Sequence, residues 1–326
     1  MRTVTWLAFG FALSACSSGS GVPQLGSSLK AAQVSRTTLQ NVSRRTLYVV
    51  NNAANSVTAY AAGATGNVGP TASISGTNTQ LNAPINIAVS RKGKIFVTNL
   101  GTNAVTAFAP GSNGNAAPVA TITCGGLNLP DGITLDAAGN IYVANLQGDS
   151  ISVFKPRANG CVKKMRGISG SNTQLSRPAG LLISGSELYV GNIDTHSITE
   201  YPSSARGNVA PTAEISGSNT MLANPVGLAV DGAGNLYVAD DSAQAIFVFA
   251  PGANGDQSPI RTIQGNLTQL NGPSGIVLRK GSIVVSNPAS NSITRYPETA
   301  NGNVAPTSSI EGSSTELNFP IGLALH

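Results

Sequence analysis

The C-terminal residues 318–326, "NFPIGLALH", form the first half of a sequence unit that recurs inside the chain. Residues 128–145 read "NLPDGITLDAAGNIYVAN" and residues 223–240 read "ANPVGLAVDGAGNLYVAD". Each internal copy runs through a first apolar segment, a turn and a second apolar segment. The last copy stops after its first segment, whereas the copy nearest the N-terminus begins at Leu47 with its second. We therefore expect the two ends of the repeat region to complete one unit together.

The repeat extends from about residue 46 to the C-terminus. Its second apolar segments recur every 46 to 48 residues and begin at Leu47, Ile95, Ile141, Leu188, Leu236 and Ile283. Each copy holds four short apolar runs with period-two character, separated by Gly, Asn, Asp or Pro, which is typical of β-strands joined by turns. Six copies of four antiparallel strands predict an all-β, six-bladed β-propeller. Residues 321–325 are expected to close the ring by joining the N-terminal blade, which leaves no open blade edge.

The repeat unit also resembles a known family. The pattern P-x-G-[IL]-[AT]-[VL]-D-x-x-G-N-[IL]-Y-V-A-[DN], seen best in residues 128–145 and 223–240, is similar to the NHL repeat of six-bladed propellers. The resemblance covers roughly residues 45–326. It implies the fold, but no particular activity, because propellers host many unrelated functions.

The N-terminal residues predict export and anchoring. Residues 1–16 combine Arg2, a short apolar run "VTWLAFGFAL" and the sequence "LSAC", which is typical of a signal peptide. The ending resembles a bacterial lipobox and implies a lipidated Cys16, with the lipid bilayer as a partner. This places the protein in the bacterial cell envelope, at the outer membrane or the periplasmic side. The alternative is an ordinary secretory signal that contains a cysteine. Residues 17–45 are predicted to be a Ser/Gly-rich tether, and residues 46–326 the propeller.

Composition narrows the classes of function. Charged residues make up only 10% of the chain, and the formal net charge is +5. The basic residues are scattered and form no stripe interleaved with aromatics, which argues against nucleic-acid binding. We expect a monomer.

Polar residues recur where the second strand of each copy ends. These are Asn51, Asn99, Asn145, Asn192, Asp240 and Asn287, followed four residues later by Asn55, Asn103, Asp149, His196, Gln244 and Asn291. The favoured interpretation is a turn device that recurs once per blade, since Asx side chains bond nearby backbone. The alternative is a binding face near the axis, whose candidate residues are Asn86, Asp131, Asp194, His196, Asp240 and Asp241. Asn86 and Asp131 replace repeat residues close to the axis, and with Asp240 and Asp241 they supply oxygen atoms suited to a divalent cation.

The two cysteines of the propeller flank outer strands of neighbouring copies. Cys124 follows the outer strand of the second copy, and Cys161 precedes the outer strand of the third. An offset of one strand length, roughly 15–20 Å, exceeds the Cα separation of about 7 Å that a disulfide tolerates. The sequence therefore predicts two unpaired thiols, with a bridge through irregular loops as the alternative.

Two main hypotheses of function remain open, with a purely structural component of the envelope as a third possibility. The chain has only two histidines, and nearly all aromatics outside residues 1–16 occupy repeated core positions. No catalytic residue or cofactor is assigned, and the first hypothesis is a non-catalytic, membrane-anchored scaffold that binds a protein, peptide or polymer. The alternative is a metal-dependent, lactonase-like hydrolase or lyase with an axial divalent cation. In that case the cation would be bound on the axis near Asn86 and Asp131.

Overall fold

The structure, a computed structural model, describes residues 46–326. The expectations for the signal peptide, Cys16 and the tether lie outside these residues. Residues 46–326 belong to one compact unit. No helix among the described residues is long and apolar enough to cross a membrane.

Twenty-four strands form six four-stranded antiparallel sheets, which are the blades of a propeller. From the innermost to the outermost strand, blade 1 contains β24 (Pro320–Leu325), β1 (Thr46–Asn51), β2 (Ser56–Ala61) and β3 (Ala72–Ile74). In the same order, blade 2 contains β4 (Pro84–Val89), β5 (Ile95–Asn99), β6 (Ala104–Phe108) and β7 (Ala120–Ile122). Blade 3 contains β8 (Pro130–Leu135), β9 (Ile141–Asn145), β10 (Ser150–Phe154) and β11 (Arg166–Ser169).

The remaining three blades have the same order. Blade 4 contains β12 (Pro178–Ser184), β13 (Glu187–Asn192), β14 (Ser197–Pro202) and β15 (Ala213–Ile215). Blade 5 contains β16 (Pro225–Val230), β17 (Leu236–Asp240), β18 (Ala245–Phe249) and β19 (Arg261–Gln264). Blade 6 contains β20 (Ile276–Arg279), β21 (Ser282–Asn287), β22 (Ser292–Pro297) and β23 (Ser308–Ile310). Short 3-10 helices occur at Thr77–Thr79, Ser171–Thr173, Ser218–Thr220 and Pro288–Ser290. The predicted all-β, six-bladed propeller is confirmed.

The ring closes as the truncated repeat predicts. Strand β24 pairs antiparallel with β1, so that Leu325 lies opposite Leu47. The backbone N–H of Thr46 donates to the carbonyl of His326 at 2.7 Å, and the N–H of His326 donates back at 3.0 Å. Blade 1 therefore takes its innermost strand from the C-terminus and its other three strands from the N-terminal side.

The hydrophobic core lies between the blades. The cluster between blades 5 and 6, for example, joins buried Tyr237 and Val248 of one sheet to Ile283 and Tyr296 of the next. Near the axis the first strands come close enough that glycine is required. A Cβ on Gly227 would collide with the carbonyl oxygen of Ser274 in the next blade. Around the axis the first strands leave a cavity of about 420 Å³.

The prediction of two unpaired thiols was wrong. Cys124 and Cys161 form a disulfide with a Cα–Cα distance of 4.7 Å. The two cysteines are not offset by a strand length, because the end of each outer strand contacts the next blade through a parallel bridge, in this case between Ile122 and Gly160. That bridge recurs at all six blade junctions and brings the two cysteines together.

The disulfide occupies a position that the other junctions fill differently. The five other residues equivalent to Cys124 are glycines with φ between 113° and 123°, namely Gly76, Gly170, Gly217, Gly265 and Gly312. Each faces an Asn or Asp of the next blade, at the position equivalent to Cys161. In the junction of blades 1 and 2, Asn115 Oδ1 accepts the backbone N–H of Asn78 at 2.7 Å. A covalent bond therefore replaces a Gly–Asx contact at the junction of blades 2 and 3.

Candidate functional site

The propeller has two faces that differ in how they use polar residues. The proline face carries the starts of the first strands, which begin at or just after a proline, and the turns between second and third strands. The hairpin face carries the turns between first and second strands and the loops between third and fourth strands. All of the predicted binding residues lie on the proline face.

The recurring residue at the end of each second strand is buried and stabilises its blade through hydrogen bonds. All six side chains of this set are fully buried. In blade 2, Asn99 Nδ2 donates to the Thr106 hydroxyl at 3.1 Å, and its Oδ1 accepts the backbone N–H of Asn82 at 3.1 Å. These bonds tie the second strand to the third strand and to the segment that enters the blade. The geometry is that of the turn device, with the amide turned away from solvent.

Blade 5 has an acid, Asp240, where the other blades have Asn, and its third strand accounts for the difference. Phe247 stands where four of the other blades have Thr and one has Ser, so no hydroxyl is present to accept from an amide. Asp240 instead uses its carboxylate only as an acceptor, from the backbone N–H groups of Ala223, Asn224 and Ala243 at 2.8, 2.8 and 2.9 Å. The predicted binding residue Asp240 is thus enclosed by backbone donors.

The second recurring set links neighbouring blades. Its members all have φ between 39° and 53°, in the left-handed region where Asn, Asp and His are enriched among non-glycine residues. In four blades an Asn or Asp side chain accepts a hydrogen bond from a backbone N–H of the next blade. Asn103, for example, accepts the N–H of Leu129 at 2.6 Å. The Gln244 side chain does the same for Gly272 at 2.8 Å. His196 differs, because its Nδ1 contacts the carbonyl oxygen of Ala223 and must therefore donate.

Asp194 and Asp241 lie on the same face but in different environments. Asp194 pairs with Arg177 at 3.1 Å, and both side chains are about half exposed, at 49% and 48%. Asp241 Oδ2 accepts from Asn224 Nδ2 at a long 3.4 Å. Burial raises the pKa of the Asp241 carboxyl, and the neighbouring Asp240 raises it further.

Asn86 and Asp131 are brought together at the axis. Asp131 lies in β8, and the Thr98 hydroxyl of blade 2 donates to its backbone carbonyl at 2.7 Å. Burial raises the pKa of the Asp131 carboxyl to about 6, against the opposing effects of a hydrogen bond from Asn86 and of the Arg177 charge. The structure thus joins two of the six predicted residues into one polar pair. Among residues 46–326, no group of three or more His, Cys, Asp and Glu side chains has a geometry that could hold a metal ion.

The hairpin face holds a large groove that the sequence did not reveal. It has a volume of about 850 Å³ and extends over the turns of blades 2, 3 and 4. Its apolar floor includes Val89, Phe96, Leu135 and Ile183. Its charged lining consists of four bases and one acid, namely Arg91, Lys92, Lys94, Arg157 and Asp136. We call this the basic groove.

The charges of the basic groove are unbalanced. Asp136 Oδ1 accepts the backbone N–H of Asn140 at 2.8 Å, and Oδ2 accepts the Asn140 amide at 2.7 Å. Lys94 lies over the Phe96 ring with its Nζ 5.0 Å from the centroid, and partial burial lowers the pKa of its ammonium group. The only ion pair within residues 46–326 is Arg177–Asp194 on the opposite face, so the groove cations have no acidic partner there.

Arg157 of the basic groove shares its loop with Cys161 of the disulfide. Arg157 lies in the loop between β10 and β11, and Cys161 lies four residues further along the same loop. The bond to Cys124 fixes that loop to blade 2, which carries Arg91, Lys92 and Lys94. The signal in the sequence was the cluster Lys155, Arg157, Lys163, Lys164 and Arg166, which also fits a charged guard on an outer strand. Of these, Arg157 lines the groove, while Arg166 stacks on Tyr142.

Comparison with known proteins supports the propeller fold. The family model "Lactonase, 7-bladed beta-propeller" matches residues 27–174, which is less than half of the chain. The structure has six blades rather than seven. No curated protein matches the sequence.

Several solved structures share the fold at low sequence identity. A protein of unknown function from Bacteroides caccae has a TM-score of 0.64 and 10% identity, over 86% of this chain and 98% of that one. The nidogen/laminin complex gives 0.58 and 12%, over 86% and 98%. Virginiamycin B lyase from Staphylococcus aureus gives 0.55 and 16%, over 78% and 83%. Likeness at this level establishes the fold alone.

Proposed function

We propose that the protein is a non-catalytic binding propeller of the bacterial cell envelope, anchored through Cys16, that holds an acidic peptide segment of a partner protein in the basic groove. The observation that carries the proposal is the charge of that groove. Four cations line it, and its one acid, Asp136, is engaged by Asn140. By contrast, most polar side chains near the axis on the proline face already bond backbone groups.

The lining of the groove favours a peptide over a polysaccharide. Peptides combine acidic with apolar side chains, which matches the cationic rim and the floor formed by Val89, Leu135 and Ile183. Glycans are usually held by exposed aromatic rings, and the one aromatic ring of the groove, Phe96, is only 4% exposed. The volume of about 850 Å³ suits a short segment rather than a broad protein surface.

Binding of a defined peptide tests this proposal. Calorimetric titration would use the chain from residue 17 onward and a short peptide that alternates glutamate with leucine. We expect binding that weakens with salt and falls at least tenfold in the triple variant Arg91→Ser, Lys92→Ser, Lys94→Ser, because exposed charges dominate the attraction. The same peptide with glutamine in place of glutamate should not bind.

A matched control uses the proline face. Arg177→Ser removes an exposed cation there and should leave peptide binding unchanged. Equal binding by the triple variant and the parent chain would contradict the proposal. A sulfated polysaccharide that binds where the peptide does not would identify a polymer as the ligand instead.

A second candidate function rests on Asp131. A carboxyl group with a pKa of about 6 beside the Asn86 amide has the properties of a general acid or base near neutral pH. With a divalent cation held by their oxygen atoms, these residues would support a lactonase-like hydrolase or a lyase, in line with the partial lactonase-family match. Cation-dependent turnover of lactone substrates that is lost in Asp131→Asn would establish this function. The peptide titration is independent of that result.

A further inference from the structure

Blades 3 and 5 each contain a matched cluster of an acid, a tyrosine and an arginine on one side of the sheet. In blade 5, Arg261 Nη2 donates to the Tyr237 hydroxyl at 2.9 Å, and that hydroxyl donates to Asp231 Oδ2 at 3.3 Å. The guanidinium carbon lies 5.8 Å from the centroid of the tyrosine ring. In blade 3, Asp136, Tyr142 and Arg166 are arranged in the same way. In both clusters one positive charge faces one negative charge across a phenol.

Blade 6 lacks this pairing of charges and carries an arginine where blades 3 and 5 carry the acid. Arg279 occupies the position of the acid, Val284 that of the tyrosine and Ser308 that of the arginine. A new arginine, Arg295, stands on the third strand, where the other five blades have Ala59, Ala107, Val153, Glu200 and Val248.

The strand register places the two arginines on one face of the sheet. Arg295 pairs with Val284, and Arg279 pairs with Ser282, two residues before Val284. Residues two apart on a strand point to the same side. Val284 packs in the cluster that joins blade 6 to Leu47 and Tyr60 of blade 1. The two arginines therefore lie at the interface where the ring closes, towards the hairpin face.

These two guanidinium groups have no acidic partner. Arg295 is only 9% exposed, and its Nη2 and the Nε of Arg279 are buried without a hydrogen-bond partner. The sole ion pair of the described range, Arg177–Asp194, involves neither. Residues 1–45 contain no Asp or Glu, so they supply no carboxylate side chain either. Desolvation, followed by repulsion from Arg279, lowers the pKa of Arg295.

Two like charges in a partly dry interface are unfavourable unless an anion joins them. We propose that Arg279 and Arg295 form a binding site for a phosphate- or sulfate-type oxyanion at the junction of blades 6 and 1. Guanidinium groups match the oxygen geometry of such anions through paired N–H donors. The anion takes the place that the tyrosine hydroxyl occupies in blade 5. The site is separate from the basic groove and does not depend on the proposed function.

Thermal unfolding in phosphate tests this site. The chain from residue 17 onward would be unfolded in inorganic phosphate and in chloride at equal ionic strength. We expect phosphate to raise the unfolding midpoint by a few degrees more than chloride, since an anion that binds only the folded state stabilises it. Arg295→Met should abolish the difference. Arg279→Asp should abolish it as well and should raise the midpoint in chloride, because it restores an internal counter-charge.

Arg261→Gln in blade 5 is the matched control and should keep the full phosphate response. Phenyl phosphate distinguishes two sources of the anion: an equal response indicates a phosphate ester of a larger molecule, and a response to inorganic phosphate alone indicates the free ion. If Arg295→Met does not fold, Arg279→Asp and broadening of the ³¹P resonance of phosphate by the parent chain decide the question. Equal midpoints in phosphate and chloride for the parent chain would overturn the proposal, as would an undiminished response in Arg279→Asp.

Discussion

The two faces of the propeller carry polar residues for different purposes. On the proline face most of them recur in register with the repeat, and residues such as Asn99 and Asp240 accept hydrogen bonds from the backbone of the turns. On the hairpin face the cations of the basic groove occur in only some blades and lack acidic partners among residues 46–326. In this fold, a polar residue that follows the repeat supports the blade, and one that breaks the repeat is the better candidate for binding.

Among the substitutions considered, replacement of Asp240 should have the largest effect on stability. Asp240→Ala would leave three partly buried backbone N–H groups without an acceptor. We expect the free energy of unfolding to fall by about 3–5 kcal/mol, measured by urea titration. Asp194→Ala, on the same face but in an exposed ion pair, should cost less than about 1 kcal/mol. Equal losses in the two variants would show that burial of Asp240 does not set its role.

Loss of the disulfide should have the second-largest effect on stability. Cys161→Ser opens a covalent loop of 37 residues, for which we expect a loss of about 3 kcal/mol in urea titration. It should also weaken peptide binding, because the loop that carries Arg157 loses its covalent attachment to blade 2. Asn303→Ala, at an equivalent junction without a disulfide, should lose only a capping bond of about 1 kcal/mol. A Cys161→Ser variant as stable as the parent would show that the bridge adds nothing to the Gly–Asx type of junction.

Asp131 predicts a pH dependence of stability. The folded pKa of about 6 lies above the usual value of 3.8, so the folded state holds the proton more tightly than the unfolded state. Stability should therefore fall as pH rises from about 4 to 6, by an order of 2 kcal/mol. Asp131→Asn should flatten this part of the profile and be more stable at pH 7. A parent profile unchanged by the substitution would contradict the raised pKa.

The cations of the basic groove should matter least for folding. Lys94→Gln and Arg157→Gln should change the free energy of unfolding by no more than about 0.5 kcal/mol, because neither charge has an acidic partner to lose. Each should nevertheless weaken binding of the glutamate–leucine peptide severalfold in calorimetry. A large loss of stability without a loss of binding would assign these residues to the scaffold.

The fold was predictable because the residues that position the strands and turns of a blade recur in all six copies. The truncated unit at residues 318–326 even indicated how the ring closes. The turn residues were also interpretable, since a device needed once per blade appears once per blade. His196 illustrates the limit: the position was predictable, but not the reversed hydrogen bond to Ala223.

Contacts between blades were harder to predict. Cys124 and Cys161 fall on the two repeat positions that elsewhere hold Gly and Asn or Asp, and aligning the junctions rather than the strands would have paired them. The basic groove arises only when the turns of three blades are brought together, so Arg91 and Lys92 look like ordinary turn residues in the sequence. Arg295 carried a visible signal, since only blade 4, with Glu200, has another charge at that position.

Hydrogen exchange with bound peptide tests the central claim most directly. The amides of the chain from residue 17 onward would be followed with and without the glutamate–leucine peptide. We predict slower exchange on the hairpin face, in residues 89–94, 135–139, 155–158 and 183–185. Protection confined to the proline face, in residues 129–132 and 193–196 or around Asp240, would contradict the account and return the binding site to the residues around Asn86 and Asp131.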